Sequence, residues 1–203
     1  MIDYFALFDE PRRPWLDSER LKQKFLAVSG QIHPDRVHHQ GGSELQAAHD
    51  RYIEMNAAYQ CLREPQLRLR HLLELERGAV PEDVQRIPPK LTDLFMEIGQ
   101  ACHHADRLLS EKAATTSPLL KVQQFQLGQE WTEKLRNLQR KLGALTDQLT
   151  EELKRLDAEW ESGTPTAIER AVLSGRLEEL CRLFSFFGRW QKQLQERIVP
   201  LSL

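Results

Sequence analysis

The residues best placed to act on another molecule are His33-Pro34-Asp35, an imidazole and a carboxylate on either side of a proline. Taken alone the tripeptide is weak evidence, because proline and aspartate occur in turns of every kind. No nucleophile elbow and no glycine-rich phosphate loop accompanies it. His38-His39 and His103-His104 are adjacent pairs, which a helix would splay rather than converge on an ion. No cysteine stands near them at zinc spacing, so a metal site is not expected. Cys61, Cys102 and Cys181 are far apart, form no CxxC, and are expected to be reduced, buried thiols. The carboxylate pairs Glu151-Glu152 and Glu178-Glu179 lie in long helical stretches and are expected to be solvated faces. No catalytic residue, metal or cofactor is therefore predicted, and the weight falls on where the tripeptide sits.

Its setting is a helical hairpin. Asp17 and Ser18 are both good N-caps. Leu21, Phe25, Val28 and Ile32 then recur at helical spacing, and Pro34 stops the run. Residues 33–42 are a polar loop ending in two glycines. Ser43 with Gln46 three residues on reads as a capping box. Leu45, Ala48, Tyr52, Met55, Tyr59 and Leu62 step by three and four up to Pro65, and so face back onto the first helix. A short amphipathic helix is predicted over 67–75. Residues 78–89 hold Gly78, Pro81, Pro88 and Pro89 and read as a break.

Beyond the break the texture changes. A helix is predicted from 91 to about 111 and a turn over 113–118. Trp131, Leu135, Leu138, Leu142, Leu145, Leu149, Leu153, Leu156 and Trp160 nearly alternate steps of four and three, the seam of helix-on-helix packing. Gly163-Thr164-Pro165 turns the chain. Leu173, Leu177, Leu180, Phe184, Phe187, Leu194 and Ile198 supply a matching seam. The expected fold is all-α: an N-terminal helical unit over 1–77, a linker over 78–90, and over 91–203 a three-helix bundle with two long antiparallel helices.

Charge narrows the partners. Of 203 residues, 28 are basic and 30 acidic, split 11 against 12 up to Arg77 and 17 against 18 beyond it. No net basic field exists to hold a phosphate backbone, so no nucleic-acid partner is expected. No stretch is long and apolar enough to span a bilayer. The start, Met1-Ile2-Asp3-Tyr4-Phe5, lacks the basic region of a secretion signal, and a cytoplasmic protein is expected.

Over about residues 2–76 the sequence resembles the J-domain family, and within it the HscB co-chaperones of iron–sulfur cluster assembly. The resemblance rests on Asp3-Tyr4-Phe5-Ala6-Leu7-Phe8, Leu16-Asp17, Phe25, the His33-Pro34-Asp35 signature, and the segment Asn56-Ala57-Ala58-Tyr59 with Leu62 and Pro65. Arg68 and Leu72-Leu73 also match, whereas His71 stands where the family usually has an aromatic residue. The downstream bundle resembles HscB, and the Gly/Phe-rich and cysteine-rich modules of DnaJ are missing.

The resemblance implies an activator of a partner ATPase rather than an enzyme. In the family the tripeptide loop binds a DnaK/HscA-type chaperone. Carried over, Asp35 pairs with an arginine there, Pro34 stiffens the loop and His33 adds polar contact; a charge-assisted bond of that kind is strong once desolvated. Lys22 and Lys24, with Arg20 a turn earlier, correspond to the family's positive helix before the loop. In the bundle the family binds the iron–sulfur scaffold protein through an apolar patch with acidic flanks. Phe95, Met96 and Phe186 resemble the apolar part, but Gln100, His103 and Arg107 stand where the acids would be. Phe95 and Met96 are neighbours on a helix, so at least one should be exposed. Two other readings stay open: a J-domain co-chaperone for a different client, and a coiled-coil adaptor without chaperone activity. The missing acids favour the first of these, and the intact tripeptide opposes the second.

Overall fold

In the computed structural model the described residues are 2–32, 42–79, 87–162 and 166–202, and no strand occurs among them. The chain folds into helices α1 (Tyr4–Leu7), α2 (Ser18–Ile32), α3 (Gly42–Arg63), α4 (Pro65–Arg77), α5 (Thr92–Ala114), α6 (Pro118–Glu161) and α7 (Ala167–Ser202), with a 3-10 turn at Pro89–Leu91 before α5.

The ends are set by local chemistry. Asp3 Oδ1 accepts from the Phe5 and Ala6 amides and starts α1. Asp17 Oδ1 accepts from the Arg20 amide at 2.8 Å and starts α2, a cap whose loss costs about 1 kcal/mol. Pro65 does more than end α3: as the first residue of α4 its missing N–H costs nothing, so α4 begins two residues earlier than the apolar spacing suggests. Gly78 closes α4 in the left-handed region at φ 70°, its amide returning to the Glu74 carbonyl. Pro200 sits inside the last turn of α7.

Two packing units result, and α6 and α7 contribute a segment to each. The first holds residues 1–82 with 151–182. α2 packs on α3, with Leu21 and Met55, Ala58 and Leu62 buried and the Phe25 ring stacked on Tyr59 at 4.2 Å. Phe5, Leu69, Leu72 and Leu73 extend this core from α1 and α4, and Leu153, Leu156, Trp160, Leu173, Leu177 and Leu180 are buried in the same unit. Burial of each such side chain contributes roughly 1.5–3 kcal/mol. The Leu45 and Ile32 side chains of the expected stripes lie outside the described residues.

A polar clamp completes the first unit. Asp157 is 3% exposed. It accepts from Arg13 Nε through both oxygens at 3.1 Å, from Arg13 Nη2, and from the Trp15 amide at 3.0 Å. The Trp160 indole N–H donates to the Arg12 carbonyl at 3.0 Å. Arg68, buried, donates to the Pro14 and Leu62 carbonyls at 2.8 and 2.6 Å, and burial pulls its pKa down to about 10. Glu178, expected to be solvated, instead accepts from Arg77 at 2.7 Å and Arg182 at 2.9 Å, and the Arg77 bond holds its carboxyl below the usual range.

The second unit holds 83–150 with 183–203: α5, most of α6 and the end of α7. Leu94, Ile98, Cys102, Ala105 and Leu108 of α5, Leu135, Leu138 and Leu142 of α6, and Phe184, Phe187, Leu194 and Ile198 of α7 are buried in this unit. The seam of α6 is less uniform than its spacing suggests. Trp131, Leu145 and Leu149 are only half-buried. No helix among the described residues is long and apolar enough to cross a membrane.

Candidate functional site

His33, Pro34 and Asp35 lie outside the described residues. The described structure does fix the frame that carries them: they follow α2 directly, nine residues separate α2 from α3, and the two helices pack together. Two helices that pack together across so short a connection form an antiparallel hairpin.

The basic residues of α2 behave differently from one another. Lys24 is committed within the fold. Its ammonium pairs with Glu10 at 2.5 Å and donates to the Phe8 and Asp9 carbonyls at 3.2 and 2.9 Å. It thereby ties α2 to the turn after α1, where Asp9 takes a φ of 50°. Arg20 approaches the same Glu10 at 3.5 Å. Lys22 is exposed, and among the described residues no carboxylate pairs with it. Among the described residues Lys22 thus differs from Lys24 in having no carboxylate partner, a difference that spacing alone could not show.

The bundle residues also divide. Phe95 and Met96 are 40% and 52% exposed, so both face outward rather than one. Phe186 is 5% exposed and lies beneath them: it packs on Trp190 at 5.8 Å between ring centroids, as Phe95 does at 6.1 Å. Arg189 covers the Phe186 ring at 4.9 Å. Phe186 therefore supports the patch from inside. Three acids of α5 are paired, Glu97 beside the patch with Lys141 at 2.6 Å, and farther along the helix Asp106 with Arg197 at 2.8 Å and Glu111 with Arg107 at 3.7 Å.

Other groups are placed for structure. His71, buried, accepts from the Tyr4 amide through Nε2 at 3.1 Å and lies against the Tyr4 and Phe5 rings, and burial lowers its pKa. Its Nε2 thus supplies an acceptor that a phenylalanine at this position would lack. Cys61, Cys102 and Cys181 are free. Burial pushes the Cys61 thiol up to about 11, which keeps it unreactive. Among the described residues no three potential ligands gather as a metal site. The Arg13–Asp157 clamp escaped sequence reasoning, because its partners are 144 residues apart and each belongs to a charged stretch.

No protein-family model matches the chain. Individual relatives do. The co-chaperone protein HscB homologue of Bordetella pertussis is 40% identical over 131 residues, spanning 54% of this chain and 77% of that protein. The HscB homologue of Mannheimia succiniciproducens is 36% identical over 78 residues, 38% of this chain and 45% of its own length. Among solved structures, human co-chaperone HscB superposes with a TM-score of 0.66 at 17% identity, covering 98% of this chain and 84% of the other. HscB from Vibrio cholerae gives 0.51 at 20% identity over 96% of each chain. The two structures carry the fold, and the Bordetella protein carries the ancestry: the chain belongs to the HscB family of J-domain co-chaperones.

Proposed function

We propose that the chain docks through His33-Pro34-Asp35 on a DnaK/HscA-type chaperone, speeds its ATP hydrolysis, and delivers to it the iron–sulfur cluster scaffold protein for cluster assembly in the cytoplasm. The observation that carries this reading is an intact tripeptide in the sequence between the packed helices α2 and α3 of a chain of the HscB family. In this reading Asp35 accepts a charge-assisted bond from a chaperone arginine, Pro34 limits the loop's conformations and His33 adds a polar contact. Lys22 attracts the chaperone, while Lys24 shapes the hairpin that presents the loop. Removing one partner of such a desolvated ion pair costs about 2–5 kcal/mol, enough to abolish docking at micromolar concentrations.

The client meets the exposed Phe95–Met96 patch, with Phe186 and Trp190 holding it from below. A methionine beside an aromatic is common at binding surfaces. A second reading, a client other than the scaffold, is favoured by one observation: Glu97, the acid beside Met96, is already paired with Lys141, which weakens the surface's attraction for a basic partner. Single-turnover ATP hydrolysis by the chaperone, with wild type and with Asp35→Asn, tests the first part. Binding of the purified scaffold to wild type and to Met96→Ser tests the second.

A further inference from the structure

One groove of the second unit borders the proposed client patch at Glu97 but includes neither Phe95, Met96 nor Phe186. It runs between α5 and α6 and opens into a cavity of about 470 Å³ lined by Glu97, Gln100, His104, Trp131, Lys134 and Lys141 among others. That volume lies within the roughly 300–1,000 Å³ of ligand pockets. Trp131 forms its centre. One neighbour of its ring is His104, stacked at 4.8 Å; another is the Lys134 ammonium, 4.3 Å from the ring centroid.

The apolar lining continues past the cavity. Leu120, Leu127, Trp131 and Leu138 follow one another at steps of seven, four and seven, so they share one face of α6. Leu120 and Leu127 are 49% and 43% exposed. Leu138 is buried at the floor of the cavity, so the open part of the stripe, from Leu120 to Trp131, runs about 16 Å, or three helical turns. Leucines at this spacing on an exposed helix face are what a further helix covers when it completes a bundle.

Charge selects the kind of helix. Glu97 is occupied by Lys141 at 2.6 Å. Lys134 has no carboxylate partner among the described residues and rests on the indole face. Two lysines against one glutamate leave the cavity with a surplus positive charge. Both walls are helices with satisfied backbones, so an added strand would find no edge to pair with.

We infer that the groove between α5 and α6 receives an amphipathic helix of a partner protein, with apolar residues at helical spacing laid along Leu120, Leu127 and Trp131 and a carboxylate on Lys134. The incoming acid takes the ammonium off the indole and frees that face of Trp131 for an apolar side chain. Helix-in-groove recognition of this kind is read through anchors at i, i+3, i+4 and i+7.

The probe is a labelled peptide of about 20 residues, long enough for the stripe. It carries leucine at the first and fourth heptad positions and glutamate beside them; its twin carries lysine for each glutamate. Titration into the full chain is followed by fluorescence anisotropy. The glutamate peptide is expected to bind at least tenfold tighter than its twin. Leu127→Gln and Lys134→Glu, both at exposed positions, each weaken it at least tenfold with unchanged circular dichroism. Met96→Ser leaves it unchanged, which separates this groove from the client patch. Equal binding of the two peptides, no binding at millimolar concentration, or indifference to Lys134→Glu overturns the inference. So does a chain that is dimeric in solution and becomes monomeric with Leu120→Gln and Leu127→Gln, because a second copy then occupies the groove.

Discussion

The clamp on Asp157 gives the sharpest stability prediction. Its carboxylate is 5% exposed, meets Arg13 through both oxygens, and takes the Trp15 amide as a further donor. Asp157→Ala strands Arg13, which is 27% exposed and keeps only Glu161 at 2.9 Å, and it leaves the Trp15 amide without this acceptor. Removing one partner of a buried ion pair costs about 3–5 kcal/mol. Asp157→Asn keeps an acceptor for the amide and removes only the charge, so it should cost about 1.5–3 kcal/mol, the worth of a hydrogen bond to a charged group. Arg13→Leu combined with Asp157→Leu should recover part of the loss, since no buried charge remains. Urea unfolding followed by circular dichroism measures all three. A loss below about 1 kcal/mol for Asp157→Ala, the range of an exposed surface pair, refutes the view that this carboxylate anchors residues 12–16.

His71 should make the same unit sensitive to acid. Burial lowers its pKa, so the unfolded chain takes up a proton that the folded chain resists; stability is full above the ordinary value near 6.5 and falls as pH drops below it. His71→Phe should flatten the slope of melting temperature between about pH 7 and 5. Phe186→Ser removes a buried ring and should cost about 3–5 kcal/mol, whereas Met96→Ser, at an exposed site, should leave the melting temperature nearly unchanged and weaken client binding. Limited proteolysis should cut first within residues 78–90, the proposed linker between 1–77 and 91–203; first cleavage elsewhere would count against that division.

The hairpin was legible in the sequence because each of its signals is local. Asp17 caps, the apolar residues step by three and four, and Gly78 and Pro65 punctuate. The long helices were legible for the same reason, and all seven residues of the α7 seam are buried. What periodicity could not show is which partner each stretch of a long helix meets. Leu153, Leu156 and Trp160 continue the seam of Leu135, Leu138 and Leu142 without a break in spacing, yet they pack with residues 1–82. Trp131 stands at a seam position and is half-buried, because the groove between α5 and α6 opens beside it. The proposed client patch was legible in part. Adjacency required Phe95 or Met96 to be exposed, but the burial of Phe186 depends on Trp190 and α5, which its own neighbours do not reveal.

The central claim is that the α2–α3 hairpin presents an ATPase-activating loop. Its direct test is the single-turnover rate of ATP hydrolysis by DnaK/HscA-type chaperones of the source cell, with and without the full chain. Wild type should raise the rate of at least one of them. Asp35→Asn should return that rate to its basal value at unchanged helical content. The account is contradicted if no such chaperone responds to wild type, or if Asp35→Asn stimulates as well as wild type does.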